Sequence, residues 1–249
     1  VNFGNSAVLT GNPVGLGTDA PDKLTRIVPA AIYGADMTGT HAIFARRNAA
    51  DTGFHFLAPV TNQGTRRRCF IESETFDYLD AAGTVLVSDN KTFLTGSVGQ
   101  LKDGIMCTMT CLDAGETGYL LALSPAYLKM DTAASVEITL TSSSSDWVSP
   151  QTGIVPIAYT SLSRDKPFTV TVANQGPVKG RVEVMSRVIF FDDTGNPAFW
   201  DFLYSGHVTL STTHDLAPGE TYDMNSDDLG SAWAGSSTRM QVFVDFGVY

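Results

Sequence analysis

Carboxylates are the residues of this chain whose spacing best suits chemistry. Asp192 and Asp193 are adjacent, Asp113 stands three residues from Glu116, and Asp223 lies close to Asp227 and Asp228. Two carboxylates held at a set separation can divide general acid and base work between them. Several in one loop can instead hold a hard cation such as calcium, which takes clustered oxygens. Asp223, Asp227 and Asp228 form such a metal candidate, although their spacing is not that of an EF-hand. The four histidines, His41, His55, His207 and His214, have no spacing typical of zinc, and neither H-E-x-x-H nor G-x-S-x-G occurs. The glycines from Gly4 to Gly17 neither follow a clear strand nor open a helix, so they form no phosphate cradle. Turn stabilisation alone accounts for Asp80, Asp192 and Glu220. The reading is of a chain with no catalytic residues and no cofactor.

Aromatic residues are the better pointer to binding. Phe199, Trp200, Phe202 and Tyr204 crowd one short stretch of the second half. Strand alternation puts Phe199, Asp201 and Leu203 on one face and Trp200, Phe202 and Tyr204 on the other. One set is accounted for by burial against a facing sheet. The other needs cover from a neighbouring domain, another subunit or a ligand. Among the three cysteines, Cys107 and Cys111 share a strand face at about 13 Å, too far to bridge. Cys69 meets one of them only if its strand lies beside theirs, and all three read as structural or free thiols.

The elements that must position these residues are strands. Of the 249 residues 43% are apolar and only 17% charged, which is a globular composition rich in turn formers. The net charge of −10 argues against a general affinity for nucleic acid or anionic lipid. Arg46-Arg47 and Arg66-Arg67-Arg68 read as exposed strand ends. No apolar run approaches the ~18 to 20 residues needed to cross a bilayer. The opening on Val1 rather than methionine reads as a processed or trimmed chain, which leaves room for a removed export signal.

A duplication organises the strands. At a constant offset of 112, Phe56, Val60, Asn62, Gln63, Gly64, Asp80 and Gly83 meet Phe168, Val172, Asn174, Gln175, Gly176, Asp192 and Gly195. Leu112 to Thr117 then meets Leu216 to Thr221 at an offset of 104, so a loop is shorter in the second copy. A repeat of this period argues for two domains. Residues 1–40, broken by Pro13, Pro21 and Pro29, read as an extended arm, with a helical turn opened at Pro21 and an edge strand over Arg26 to Tyr33. Residues 41–142 and 146–249 read as two consecutive β-sandwiches. In the first, Arg67 to Leu79 reads as one long strand, and in the second Arg181 to Phe191 does the same. The serine run from Thr141 to Ser145 is the expected joint.

The run Phe76-Asp77-Tyr78-Leu79-Asp80-Ala81-Ala82-Gly83 followed by Leu112-Asp113-Ala114-Gly115-Glu116-Thr117 resembles FxLyD-type immunoglobulin-like domains. The second copy, with Val188 to Gly195 and Leu216 to Thr221, is similar to them too. The resemblance implies an all-β fold of tandem immunoglobulin-like sandwiches and an extracytoplasmic setting, and it implies no catalytic site. The expected function is a structural or assembly subunit of a cell or particle surface. Its partner is another protein, including copies of itself, met through sandwich edges and the arm. Two other readings stand beside it: a monomeric secreted module that binds a protein or glycan, and a hydrolase using a carboxylate pair.

Overall fold

Short apolar runs punctuated by glycine, proline and aspartate fold into strands, and every regular element among the described residues is a strand. The computed structural model describes residues 5–10, 24–34, 36–46, 54–69, 75–90, 93–101, 108–123, 128, 131–141, 147–148, 153–160, 169–192, 194–205, 213–226 and 239–248. In chain order the strands begin with β1 (Ser6–Thr10), β2 (Leu24–Tyr33), β3 (Met37–Thr38), β4 (His41–Arg46), β5 (His55–Asn62) and β6 (Arg68–Cys69). Next come β7 (Thr75–Leu79), β8 (Val85–Asp89), β9 (Phe93–Thr95), β10 (Ser97–Leu101), β11 (Thr108–Leu112) and β12 (Thr117–Leu123). They continue with β13 (Ser135–Thr139), β14 (Trp147–Val148), β15 (Ile154–Thr160), β16 (Thr169–Asn174), β17 (Gly180–Val182) and β18 (Met185–Phe191). The last are β19 (Pro197–Tyr204), β20 (His214–Leu216), β21 (Thr221–Ser226), β22 (Arg239–Phe243) and β23 (Phe246–Val248).

The chain divides into two compact units that interleave along the sequence. Unit N comprises Pro21–Gly96 and Met109–Ser145; unit C comprises Val1–Ala20, Ser97–Thr108 and Asp146–Tyr249.

In unit N one hydrogen-bonded path runs β8-β7-β13-β2-β4-β5-β12-β9, with β3 also on β5. Laid flat, β7 and β5 would stand about 19 Å apart, four strand spacings. Instead the rings of Phe56 on β5 and Phe76 on β7 touch edge to face at 5.3 Å. The path therefore folds over on itself, and β2 is where it turns. Residues 24–29 of β2 pair antiparallel with β4, and residues 30–33 pair parallel with β13. Pro29 sits at the changeover, where an absent N–H disturbs neither ladder. The sequence expectation of an edge strand here is thus corrected: β2 is internal to the path. Its first residues, Leu24 to Arg26, are strand and not a helical turn. Between the folded layers lies one core that includes Phe44, Phe56, Phe76, Tyr78, Leu120 and Ile138.

In unit C the main path is β1-β22-β18-β19-β21-β16-β15. Here β19 makes the turn: it pairs with β18 from end to end, but with β21 only through Leu203 and Tyr204. The two ends of this path, β1 and β15, lie against each other although six spacings of about 4.8 Å separate them in the flat sheet. Trp200, Phe190, Phe199, Phe243 and Phe246 are fully buried in this unit. A small sheet β20-β17-β23 completes it, and β10 pairs with β14.

The expected single strand over Arg181 to Phe191 is two strands in different sheets, with Glu183 and Val184 between them. There the Glu183 amide donates to the Asp245 carbonyl, one rung beyond Val182↔Phe246, and the Val184 carbonyl accepts from the Ser205 amide, one rung beyond Met185↔Tyr204. The expected single strand over Arg67 to Leu79 likewise holds two strands of different sheets, β6 and β7, and residues 70–74 between them lie outside the described residues.

The two sequence offsets reappear as matching register. Tyr78 faces Val136 as Phe190 faces Met240, and Leu112 faces Arg68 as Leu216 faces Gly180. Residues 1–40, expected as one arm, are shared out instead. Ser6–Thr10 completes the sheet of unit C, and Leu24–Tyr33 is built into unit N.

Candidate functional site

Of the carboxylates noted in the sequence, Asp80, Asp113, Glu116, Asp192 and Glu220 are engaged in turns or an ion pair. Asp80 and Asp192 close equivalent hairpins. In each, the glycine three residues on has φ near +80° (79° at Gly83, 84° at Gly195) and donates its amide to the aspartate carbonyl. The side-chain Oδ1 accepts from the amides two and four residues on, at 2.8 and 2.9 Å for Asp80 and 2.9 Å twice for Asp192. A Cβ at Gly83 would meet nothing within 4 Å, so positive φ and not crowding is what calls for glycine. Burial pulls the Asp192 carboxyl upward, but the Thr194 hydroxyl and the amides of Asn196, Thr194 and Gly195 outweigh it and hold it below its ordinary value. Asp193 lies outside the described residues.

Glu116 and Glu220 repeat a second arrangement, accepting from the amides of Asp113 and Ala217 at 2.6 and 2.7 Å. Asp113 itself accepts from one edge of the Arg67 guanidinium, from Nε at 2.6 Å and Nη2 at 3.0 Å. Arg68 pairs with Asp36, so two of the three clustered arginines are tied to carboxylates within unit N.

Asn62 and Asn174, shared by both copies, prove to be the junctions of their units. Each is buried, with at most 1% of its surface exposed. Asn62 Nδ2 donates to the carbonyls of Arg66 at 2.8 Å and Leu112 at 2.9 Å, while Oδ1 accepts from the Gly64 amide at 2.9 Å. Asn174 does the same with Val178, Leu216 and Gly176, at 2.9, 3.0 and 3.0 Å. Their carbonyls also accept from the amides of Gly115 and Gly219. One side chain thus ties the turn after its own strand to a residue 50 positions away for Asn62 and 42 for Asn174.

Of the proposed calcium ligands, Asp223 accepts a 2.7 Å hydrogen bond from Thr171 Oγ1 across the β16–β21 ladder. Asp227 and Asp228 lie outside the described residues, as does His207. No group of three potential ligands occurs among the described residues. His41 meets the Thr40 hydroxyl, and His214 stacks on Tyr222 at 4.1 Å.

The aromatic strand is only partly a surface. Phe199 and Trp200 are fully buried, so the expectation that they contact a ligand is corrected: both belong to the core of unit C. Phe202 and Tyr204 are half-buried, and Phe202 joins Trp200 at 5.1 Å to Tyr204 at 6.2 Å. Asp201, between them, is 1% exposed and accepts from the Phe202 amide.

A second acidic group, not foreseen from spacing, gathers where β17 gives way to β18. Asp245 pairs with Arg187, and its amide donates to Ser186 Oγ at 3.0 Å. Burial pushes the Asp245 carboxyl up against the opposing pull of Arg187. Burial likewise raises Glu183, with Arg181 lowering it and Asp245 raising it further.

Cys69 and Cys111 form a disulfide between facing residues of β6 and β11. The equivalent facing pair in unit C is Arg181 and Asp215, joined by an ion pair at 3.0 Å. Cys107 lies outside the described residues.

The remaining feature is the outer edge of β22. It is covered by β1 in an antiparallel ladder from Ser6↔Phe243 to Thr10↔Arg239. Asn5 extends the ladder: its carbonyl accepts from the Val244 amide at 2.8 Å, and its side chain donates back to the Val244 carbonyl at 3.2 Å. In unit N the matching strand, β13, is covered by β2 in a parallel ladder. Ahead of β15, β14 pairs with β10.

Comparison with protein-family models, curated proteins and solved structures gives no match. The class defined is therefore that of the strands themselves: an all-β chain of two compact sheet-rich units, duplicated in register. No helix among the described residues is long and apolar enough to cross a membrane.

Proposed function

We propose that this chain is a non-catalytic structural or assembly subunit of an extracytoplasmic surface or particle, joined to protein neighbours through its sheet edges and its first residues. On this reading the units are tandem immunoglobulin-like sandwiches of the FxLyD type that their turn motifs resemble. The observation that carries the reading is the edge of β22, which is completed by a strand from far away in sequence. Sheet edges with unpaired N–H and C=O groups are templates for strand addition, and strand addition is a recurrent way for such domains to bind protein.

Two further observations support it. The cross-strand disulfide of Cys69 and Cys111 fits an oxidising compartment. Asp80, Asp113, Asp192, Glu116 and Glu220 each have at least one carboxylate oxygen engaged by backbone amides or arginine, which suits turn-building better than proton transfer. Light scattering on the unaltered chain across a concentration series tests the proposal. Growth in mass with concentration is expected. A monomer at every concentration overturns it and leaves a monomeric binding module in its place.

A further inference from the structure

We infer that the edge of β22 is a strand-acceptor slot and that residues 5–10 are its exchangeable occupant, passing from one copy of the chain to the slot of the next. The inference deepens the assembly reading and rests on it, because it names the surface and the partner.

Comparison of the two units carries the argument. They share register at β5, β6, β7, β11, β12 and β13 and their counterparts, yet differ in what covers the last strand. In unit N the cover is β2, which leads through residues 34–40 straight into β4 of the same sheet. That strand is captive. In unit C the cover comes from Val1–Ala20, and the chain then leaves the unit until Ser97. The occupant also has the opposite polarity, antiparallel where β2 is parallel. A slot that takes a strand from outside the local connection has the same requirement of a strand from any copy.

Side chains bind β1 less firmly than its backbone does. Val8 is 44% exposed, Thr10 is exposed, and Ser6, Ala7 and Leu9 are only half-buried. Main-chain hydrogen bonds and the Asn5 clasp therefore supply much of the attachment. Exchange re-forms every one of these contacts in the neighbour, so the closed and exchanged forms differ only in connection and concentration. The thirteen residues between Thr10 and Leu24 include Gly11, Pro13, Gly15, Gly17 and Pro21, and they can reach at most roughly 45 Å. A tether of this length gives an effective concentration on the order of millimolar, which packing on a surface or particle can match. Donor and slot are different surfaces, so repeated exchange runs head to tail, and an unclosed series grows into a filament.

The test uses two full-length variants, Val8→Cys and Gln241→Cys, each also carrying Cys107→Ser, because Val8 and Gln241 face each other in the ladder. They are mixed at about 1 mM, where transfer competes with the tethered strand, and oxidised. Val8→Cys mixed with Leu123→Cys, an exposed position of unit N, reports random collision. A dimer band on a non-reducing denaturing gel at least tenfold above that control is expected. A chain carrying both Val8→Cys and Gln241→Cys checks that the ladder forms. Closure of this double variant within single chains, together with no dimer from the mixture, overturns the inference. Failure of the double variant to close under any condition overturns it as well. An unaltered chain that grows in light scattering while the mixture yields no dimer sinks strand exchange and leaves the assembly reading standing. A chain that stays monomeric and yields no dimer sinks both.

Discussion

Asn62 and Asn174 use both amide hydrogens and the amide oxygen on main-chain partners in the interior. Truncation to alanine leaves a buried carbonyl, of Leu112 or Leu216, without its partner and frees a second carbonyl and one N–H, at about 1 to 3 kcal/mol for each group left unsatisfied away from water. Asn62→Ala is expected to destabilise unit N, and Asn174→Ala unit C, by roughly 3 kcal/mol each in denaturant unfolding. A loss below ~0.5 kcal/mol would mean that the interior rearranges to do without the clasp. Tyr78 presents the opposite case. Its ring packs among Phe44, Phe54 and Phe56 at 6.0 to 6.2 Å, but its hydroxyl is buried with no hydrogen-bond partner among the described residues. Burial, and secondarily the Asp89 charge, pushes its ionisation well above the ordinary value of 10.0. The equivalent residue of the other copy is Phe190, which lacks the hydroxyl. Tyr78→Phe is therefore expected to stabilise unit N by about 1 kcal/mol. Destabilisation in thermal melting would show that the hydroxyl has a role that its surroundings do not reveal.

At the scale of elements, one facing pair of residues has been cross-linked in two ways. The Cys69–Cys111 disulfide closes a sequence separation of 42 residues, which chain-entropy reasoning values at about 4 kcal/mol. Arg181 and Asp215 hold the same place with a solvent-exposed ion pair, worth under about 1 kcal/mol. Replacing both cysteines by alanine should lower the unfolding midpoint of unit N sharply, whereas Arg181→Ala should leave unit C within experimental error. Equal effects from the two changes would contradict the assignment. Elements were legible in the sequence where the cause was local. Asp80 and Gly83 announce a hairpin because five consecutive residues, Asp80 to Thr84, supply all its bonds. The pairing of Cys69 with Cys111 was not legible, because it depends on which strands become neighbours. Nor was the break after Val182: Val182, Val184, Val188 and Phe190 alternate as one strand would, and only the assembled sheets decide that Glu183 bonds on to Asp245 beside β23 while Val184 bonds to Ser205 beside β19. The aromatic strand misled for a related reason. Alternation assigns faces, but in unit C both faces of Phe199 and Trp200 are covered.

Across the whole molecule, sequence order and spatial order part company. The first strand belongs to the unit built mainly from the last hundred residues. Deleting residues 1–20 is therefore expected to weaken unit C while unit N keeps its stability. Hydrogen exchange can read this directly: amides of β22 should lose protection, and those of β13 should not. Loss of protection confined to unit N would refute the placement of β1. The duplication was legible as two offsets, and the structure reproduces both in its ladders. What the offsets could not convey was the cover on each final strand, since β1 and β2 lie outside the repeated stretch.

The placement of β1 also has a consequence for synthesis. Its partner, residues 239–243, is translated more than two hundred codons later. At ordinary ribosome speeds of about 5 to 20 residues per second, the first strand waits roughly 10 to 45 s with nothing to pair with. Unit N needs no residue beyond Ser145, so it can fold on the ribosome during that delay. On a crowded polysome, a nascent chain thus carries an unsatisfied ribbon past older siblings whose edges are already formed.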